Sequence, residues 1–222
     1  MSGLLRGEDL ARGKPALRAG KRIAPADLGL MASLGFAEVP VRRRLRVAFF
    51  STGDELRSVG EPLAPGEVYD SNRYTIWGML TRLGVEVIDM GVVRDEPESL
   101  ERAVRIAAES VLPGNPVAVI ITFYFFAREA LLRMMGAEPE PLPFVRARSQ
   151  TAFRKRPGRT EYQRARLIRE ADGTMSVRSI GSQGSGVLRS MSEANCIVVL
   201  HHGQESVAVG DEVDCIAFDG LL

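Results

Sequence analysis

Cysteine is nearly absent from this chain, with 2 among 222 residues, Cys196 and Cys215. Neither stands at metal-ligand spacing from another Cys or a His, which argues against structural zinc and a disulfide framework and leaves free thiols in a core. Histidine is equally scarce: His201 and His202 are adjacent, not at the i, i+4 spacing of a shared metal. No acid partner is implied for them, and both are expected on the surface. Aromatic residues make up 6% of the chain, and none interleaves the basic stretches, so a stacking platform for nucleic acid is not expected. Neither sign of charge dominates: 29 Lys and Arg face 28 Asp and Glu, for a net charge of +1. Such a balance exerts no global pull toward nucleic acid or a membrane surface. Long apolar runs are missing too. The most apolar one, residues 117–127, runs into Arg128-Glu129 and falls short of the roughly 20 residues that span a bilayer. The first twelve residues lack an apolar segment of the secretory kind, and a cytoplasmic location is expected.

What remains is an ordinary globular composition, 45% hydrophobic and 26% charged, long enough to bury real cores. Three zones separate. Residues 1–42 are short, Gly- and Pro-punctuated pieces with one helix starting at Pro25 and running to about Leu34. Residues 43–137 alternate strand and helix, which predicts a parallel sheet covered by helices. In that zone Val47-Ala48-Phe49-Phe50 reads as a buried strand, and Asp70 or Ser71 caps a helix that Gly84 stops. A second strand follows from Val85 toward Val93. Asp95, Pro97 and Glu98 then open another helix. Residues 138–222 shift to period-two alternation, with a hairpin turn at Asp172-Gly173, and predict a small all-β domain.

The alternation breaks near residue 111. After a helix ending near Ser110 an apolar strand should return. Instead the chain reads Val111-Leu112-Pro113-Gly114-Asn115-Pro116 and enters a helix over 116–135. Asn115 as cap and Pro116 at the first helical position make a well-formed start, but no strand delivers it. Two parallel strands are too few for a stable sheet. A segment is therefore missing there, and the half-built sheet should leave apolar helix faces such as 117–126 exposed and the β domain the better folded part.

Several phrases could carry chemistry. Thr52-Gly53-Asp54-Glu55 lies beyond the carboxyl end of a parallel strand, where open α/β sheets bind ligands. Its two acids could hold a cation or a ligand hydroxyl, or could simply be a solvated turn. Pro113-Gly114-Asn115-Pro116 offers backbone N–H groups to an anion, or merely caps a helix. Arg154, Lys155, Arg156, Arg159, Arg164 and Arg166 form the most basic stretch, suited to an oxyanion or to a solvated strand face. Gln183-Gly184-Ser185-Gly186 could add donors for the same anion, or be a plain turn.

These phrases occur together in a telling order. Gly7-Glu8-Asp9, Ser51-Thr52-Gly53-Asp54-Glu55-Leu56, Tyr69-Asp70-Ser71-Asn72-Arg73 and Leu112-Pro113-Gly114-Asn115-Pro116-Val117 come first. Arg156-Pro157-Gly158-Arg159-Thr160-Glu161-Tyr162-Gln163-Arg164 and Gly184-Ser185-Gly186-Val187-Leu188-Arg189-Ser190-Met191 follow. The chain resembles the MoeA-type molybdopterin molybdenumtransferases, related to the gephyrin E domain. The resemblance implies an incomplete molybdopterin-binding α/β domain followed by a C-terminal β domain, in a homodimer that binds neither nucleic acid nor membrane. It implies a reaction in which molybdate and adenylylated molybdopterin give the molybdenum cofactor, releasing AMP with Mg2+ assisting. Carried over, Glu55 resembles the essential acid and Asp9 a second one. Thr52, Gly53, Asp54, Pro113, Gly114, Asn115 and Pro116 fall on the cofactor-binding motifs, Arg159 and Ser185 on molybdate positions, and Asp54 with Glu55 on a metal position.

Two departures qualify the resemblance. Relatives carry more chain before Gly7-Glu8-Asp9. Between Ser110 and Leu112 they have a strand, a Ser-Gly-Gly-rich loop with an acid, a helix and a lysine-bearing turn. The site should be incomplete and insertion impaired. Two alternatives stay open: a non-catalytic anion- or partner-binding remnant, and a protein like the molybdopterin adenylyltransferases.

Overall fold

A computed structural model describes residue 10 and residues 13–93, 116–181 and 188–218, with the side chains of 116, 117 and 188–190 left aside. The expected helix after Asp95, the Pro113-Gly114-Asn115 turn, Asp9 and Ser185 lie outside the described residues.

Helix α1 (Pro25–Ser33) opens on proline and buries Asp27, which pairs with Lys21 at 2.5 Å and accepts the Ala24 N–H at 2.8 Å. Strand β1 (Arg46–Thr52) pairs in parallel with β4 (Glu86–Val93). Between them lie a two-residue parallel pair, β2 (Leu56–Arg57) with β3 (Val68–Tyr69), and helix α2 (Ser71–Leu83). Asp70 caps α2 by accepting the Arg73 N–H at 3.1 Å, and Gly84 closes it, as the residue types require. The main sheet has two strands among the described residues, and the place of the missing strand inferred near residue 111 lies outside them. A bulge on β4 lets Phe49 face Asp89 while Ser51 faces Val92. Gly91 in this bulge has φ +80°, which favours glycine, and donates its N–H to Asp89 at 2.9 Å.

The helix expected over 116–135 is observed, but as three joined pieces: α3 (Pro116–Thr122), a π-helical segment (Phe123–Ala127) and α4 (Arg128–Met134). The π segment, which periodicity gave no sign of, turns Phe123 and Tyr124 inward together and sets the Phe125 ring 4.6 Å from Tyr162.

The C-terminal region is a closed five-strand barrel in the order β5-β7-β6-β8-β9. Its strands are β5 (Val145–Ser149), β6 (Glu161–Arg169), β7 (Met175–Ser179), β8 (Cys196–Leu200) and β9 (Glu212–Ala217). The predicted hairpin joins β6 and β7, and helix α5 (Leu188–Glu193) precedes β8. Cys196 and Cys215 are free and buried inside the barrel. Each crowds the other, and the hydrogen bond between their side chains, with burial, pushes the Cys215 thiol well above its ordinary range.

Two cores result. One fills the barrel with Phe153, Val177, Val198, Leu200 and Val213 among others. The second joins Ile76, Leu80 and Leu83 of α2 to Val119, Phe123 and Leu132, and then to Ile197, Val199 and Ile216 on the barrel's outer wall. The expected exposure of residues 117–126 is therefore corrected: Val119 and Phe123 are 1% exposed, while Phe126 is 70% exposed. With the sheet shortened, α2 and the barrel wall take up the apolar face of the helix.

Candidate functional site at the carboxyl end of β1

β1 delivers Thr52-Gly53-Asp54-Glu55 at its carboxyl end, as expected of a ligand-binding crevice. Gly53 adopts φ +151°, and a Cβ there would stand 3.0 Å from Glu55 Oε2 and 3.1 Å from Leu56 Cγ. Only glycine leaves room for the Glu55 carboxylate to fold back over the turn. The Leu56 N–H closes that turn on the Gly53 carbonyl at 3.1 Å. Val68 N–H then donates to Glu55 O at 2.9 Å and Asp70 N–H to Arg57 O at 3.0 Å, tying the loop to the start of α2.

Beside this loop opens a cavity of about 610 Å³ lined by Gly53, Asp54, Leu56, Arg57, Ser58, Glu61 and Val92. Arg57 Nη1 donates to the carbonyls of Asp54 at 3.0 Å and Leu56 at 2.8 Å, and Nη2 stands 2.5 Å from Glu67. Arg73 Nε reaches both Asp89 oxygens at 2.9 Å, and its Nη1 lies 3.4 Å from the Ser58 hydroxyl. Asp70 is 2% exposed, and its Oδ2 meets no donor among the described residues. Asp54 and Glu55 are exposed and form no ion pair among the described residues. The cavity thus presents a positioned guanidinium, a hydroxyl and the carboxylates of Asp54 and Glu61, with Glu55 beside it on the same turn, a set suited to an anionic ligand carrying a cation.

Sequence reasoning missed Arg57, Ser58, Glu61 and Val92. β2 is two residues long, too short for any periodic signal, and Val92 reaches the site through the β4 bulge. Arg73 was visible only as part of a motif.

Arg159 does not line this cavity. It sits before β6, 70% exposed on its side chain, with Nε 2.8 Å from Glu161 Oε1. The Arg159 hydrogen bond holds the Glu161 carboxyl below its usual range. Two other expectations about the basic stretch are corrected. Lys155 is 7% exposed and Arg164 2%, so neither belongs to a solvated basic face. Lys155 Nζ donates to the Gln204 carbonyl at 2.7 Å, tying together the loops at one end of the barrel. His201 does have an acid partner, with Nε2 2.7 Å from Asp214 Oδ2 across β8 and β9. Pro116 heads α3.

Residues 48–111 match the family described as "Probable molybdopterin binding domain", and residues 146–218 match "MoeA C-terminal region (domain IV)". The molybdopterin molybdenumtransferase of Haemophilus influenzae is 31% identical over 97% of this chain and 67% of its own length. The chain belongs to the molybdopterin molybdenumtransferase family. Molybdopterin molybdenumtransferase 2 of Mycobacterium tuberculosis is also 31% identical, over 93% of this chain and 65% of its own. Among solved structures, the molybdopterin biosynthesis moeA protein of Pyrococcus horikoshii superposes with a TM-score of 0.78 at 26% identity, covering 96% of this chain and 63% of that one. The chain thus spans about two thirds of the length of these relatives.

The alignment with the Haemophilus member runs over 270 positions against 222 residues here, so at least 48 positions find no counterpart. The molybdopterin-binding match ends at residue 111, where strand–helix alternation stops. Family comparison and element order agree on an internal shortening.

Proposed function

We propose that this chain acts in molybdenum cofactor biosynthesis as a shortened molybdopterin-binding protein whose molybdenum insertion step is impaired. The observation that carries the reading is the cavity at the carboxyl end of β1, where Arg57, Ser58 and the Gly53 turn converge beneath the family's Thr-Gly-Asp-Glu motif. Residues 43–137 would hold adenylylated molybdopterin, with its phosphates toward Arg57 and Ser58. Residues 138–222 would offer Arg159 and Ser185 to molybdate, a dianion that Arg159 can bind once released from Glu161. Asp9 and Glu55 would act as the acids, and Pro113, Gly114, Asn115 and Pro116 would border the pterin.

No group of three or more metal-binding side chains occurs among the described residues. Mg2+ needs only one or two carboxylates beside a substrate's phosphates, which Asp54 and Glu55 fit. Bound there, it would neutralise the pyrophosphate between AMP and the pterin. A homodimer and a cytoplasmic setting complete the reading; no described helix is long and apolar enough to cross a membrane. The Arg159–Glu161 pair must open before molybdate can bind, as the Arg57–Glu67 pair must for phosphate, which keeps the non-catalytic reading beside the main one. The barrel that follows the α/β region weighs against an adenylyltransferase-like protein.

Equilibrium binding of adenylylated molybdopterin and AMP release with molybdate and Mg2+ test the proposal. Binding should persist and weaken at least about tenfold in Arg57→Ala, the loss of one charge-assisted contact. AMP release should fall far below that of an intact relative. Binding indifferent to Arg57→Ala removes the cavity from the reading, and release at an intact relative's rate removes the impairment.

A further inference from the structure

Three segments meet at one guanidinium beside the cavity. Arg73 stands in the first turn of α2, its N–H held by the Asp70 cap at 3.1 Å. Its side chain, 18% exposed, lies over the Tyr74 ring, with Cζ 5.8 Å from the ring centre. Nε donates to both Asp89 oxygens at 2.9 Å, and Nη1 donates to Ser58 Oγ at 3.4 Å. Asp89 Oδ1 also accepts the Gly91 N–H at 2.9 Å, a contact inside the β4 bulge. Ser58 and Val92, one from each segment that Arg73 holds, line the cavity, and Arg73 does not. One guanidinium thus braces two walls of the cavity without entering it.

The chemistry of arginine decides what this does to Ser58. A guanidinium has N–H donors and no acceptor, so the serine can only accept from it. Among the described residues nothing accepts the hydroxyl proton of Ser58 in turn. That proton is left for whatever enters the cavity, and the adjacent cation makes the O–H a stronger donor. A phosphate oxygen satisfies it. A ligand N–H would instead compete for the remaining lone pair beside a positive charge and leave the proton unmet. Lysine could not substitute, because a single ammonium lacks the rigid fork that reaches Asp89 and Ser58 together.

We propose that Arg73 is the positioning residue of this cavity, presenting Ser58 as an obligate donor and so selecting an oxyanion of the pyrophosphate class. The proposal rests on the reading of the cavity as a ligand site, and not on the pterin or on molybdate.

Calorimetric titration of the full chain with inorganic pyrophosphate, beside urea unfolding of each variant, tests it. The wild type should bind. Ser58→Ala should weaken binding about tenfold, one hydrogen bond to a charged ligand being lost, with its urea midpoint unchanged. Arg73→Lys should weaken binding by a similar factor. Added to Ser58→Ala it should weaken binding no further, because the arginine acts through the serine. The urea midpoint should behave differently: Arg73→Lys should lower it equally in both backgrounds, since the Asp89 contact is independent of Ser58. Additive losses of affinity, an Arg73→Lys chain that binds as tightly as wild type, or a wild type that binds no pyrophosphate would each overturn the proposal. Titration of adenylylated molybdopterin against Arg57→Ala keeps the two readings apart. A loss of affinity there, without coupling between Arg73 and Ser58, removes the role of Arg73 and leaves the molybdopterin reading standing.

Discussion

Strand β8, Cys-Ile-Val-Val-Leu, and strand β1, with Val-Ala-Phe-Phe at its centre, have comparable apolar character and very different surroundings. Every residue of β8 is at most 3% exposed, whereas no residue of β1 or β4 is fully buried. β8 lies between β6 and β9, with one face in the barrel and Ile197 and Val199 pressed against the helical core. β1 has β4 alone. Burial here follows the number of neighbours a strand has, not its own hydrophobicity. A closed barrel has no edges, while a two-strand parallel sheet is almost all edge.

The shared core ties the two regions together, and Phe123 is its hinge point. Truncation of a fully buried Phe typically costs about 3–5 kcal/mol. Phe123→Ala should therefore destabilise both regions at once. Urea unfolding followed by fluorescence of Trp77, the single tryptophan, and by the β signal of circular dichroism should show one shifted transition. Two separate transitions, with only the Trp77 signal moving, would mean that the barrel stands alone.

A direct comparison of the strands comes next in size. Leu200→Ala, inside the barrel at 0% exposure, should cost about 2–5 kcal/mol. Phe50→Ala, half-buried on β1, should cost clearly less, since little apolar surface is withdrawn from water there. Equal losses in urea titration would break the contrast drawn between the two strands.

The smallest effect is electrostatic. The His201 hydrogen bond, and then Arg146, hold the Asp214 carboxyl below its ordinary value of 3.8. A depressed folded-state pKa adds stability above the unfolded value and loses it as pH falls through the folded one. The wild-type barrel should lose stability as pH drops below about 4, and His201→Ala should shrink that loss, Arg146 retaining part of it. An unchanged acid limb in the variant would show that the pair contributes nothing.

Much of the architecture was legible along the chain. Asp70 as cap, Gly84 as stop, the Asp172-Gly173 turn and the apolar runs of β1 and β8 all act within a few residues, and each is observed. The break at residue 111 was legible for the same reason, because an α/β unit without its returning strand is visible as a missing period. The Gly53 turn and its acids were readable as a site. What surrounds them was not. Arg57 and Ser58 belong to an element too short to have a pattern, and Arg164 looks like any exposed arginine until the fold covers it. His201 and Asp214 are 13 residues apart and meet only because β8 and β9 are neighbours.

Local chemistry thus settled where elements begin and end, the α/β-then-β order, the loop that bears the acids and the place of the lost segment. Those depend on dihedral preference, capping and periodicity, which act over one or two turns of chain. Packing alone decided what covers the apolar helix after the shortening and which charged groups are buried. Such outcomes depend on distant surfaces competing for the same apolar area, and no short stretch of sequence contains both competitors.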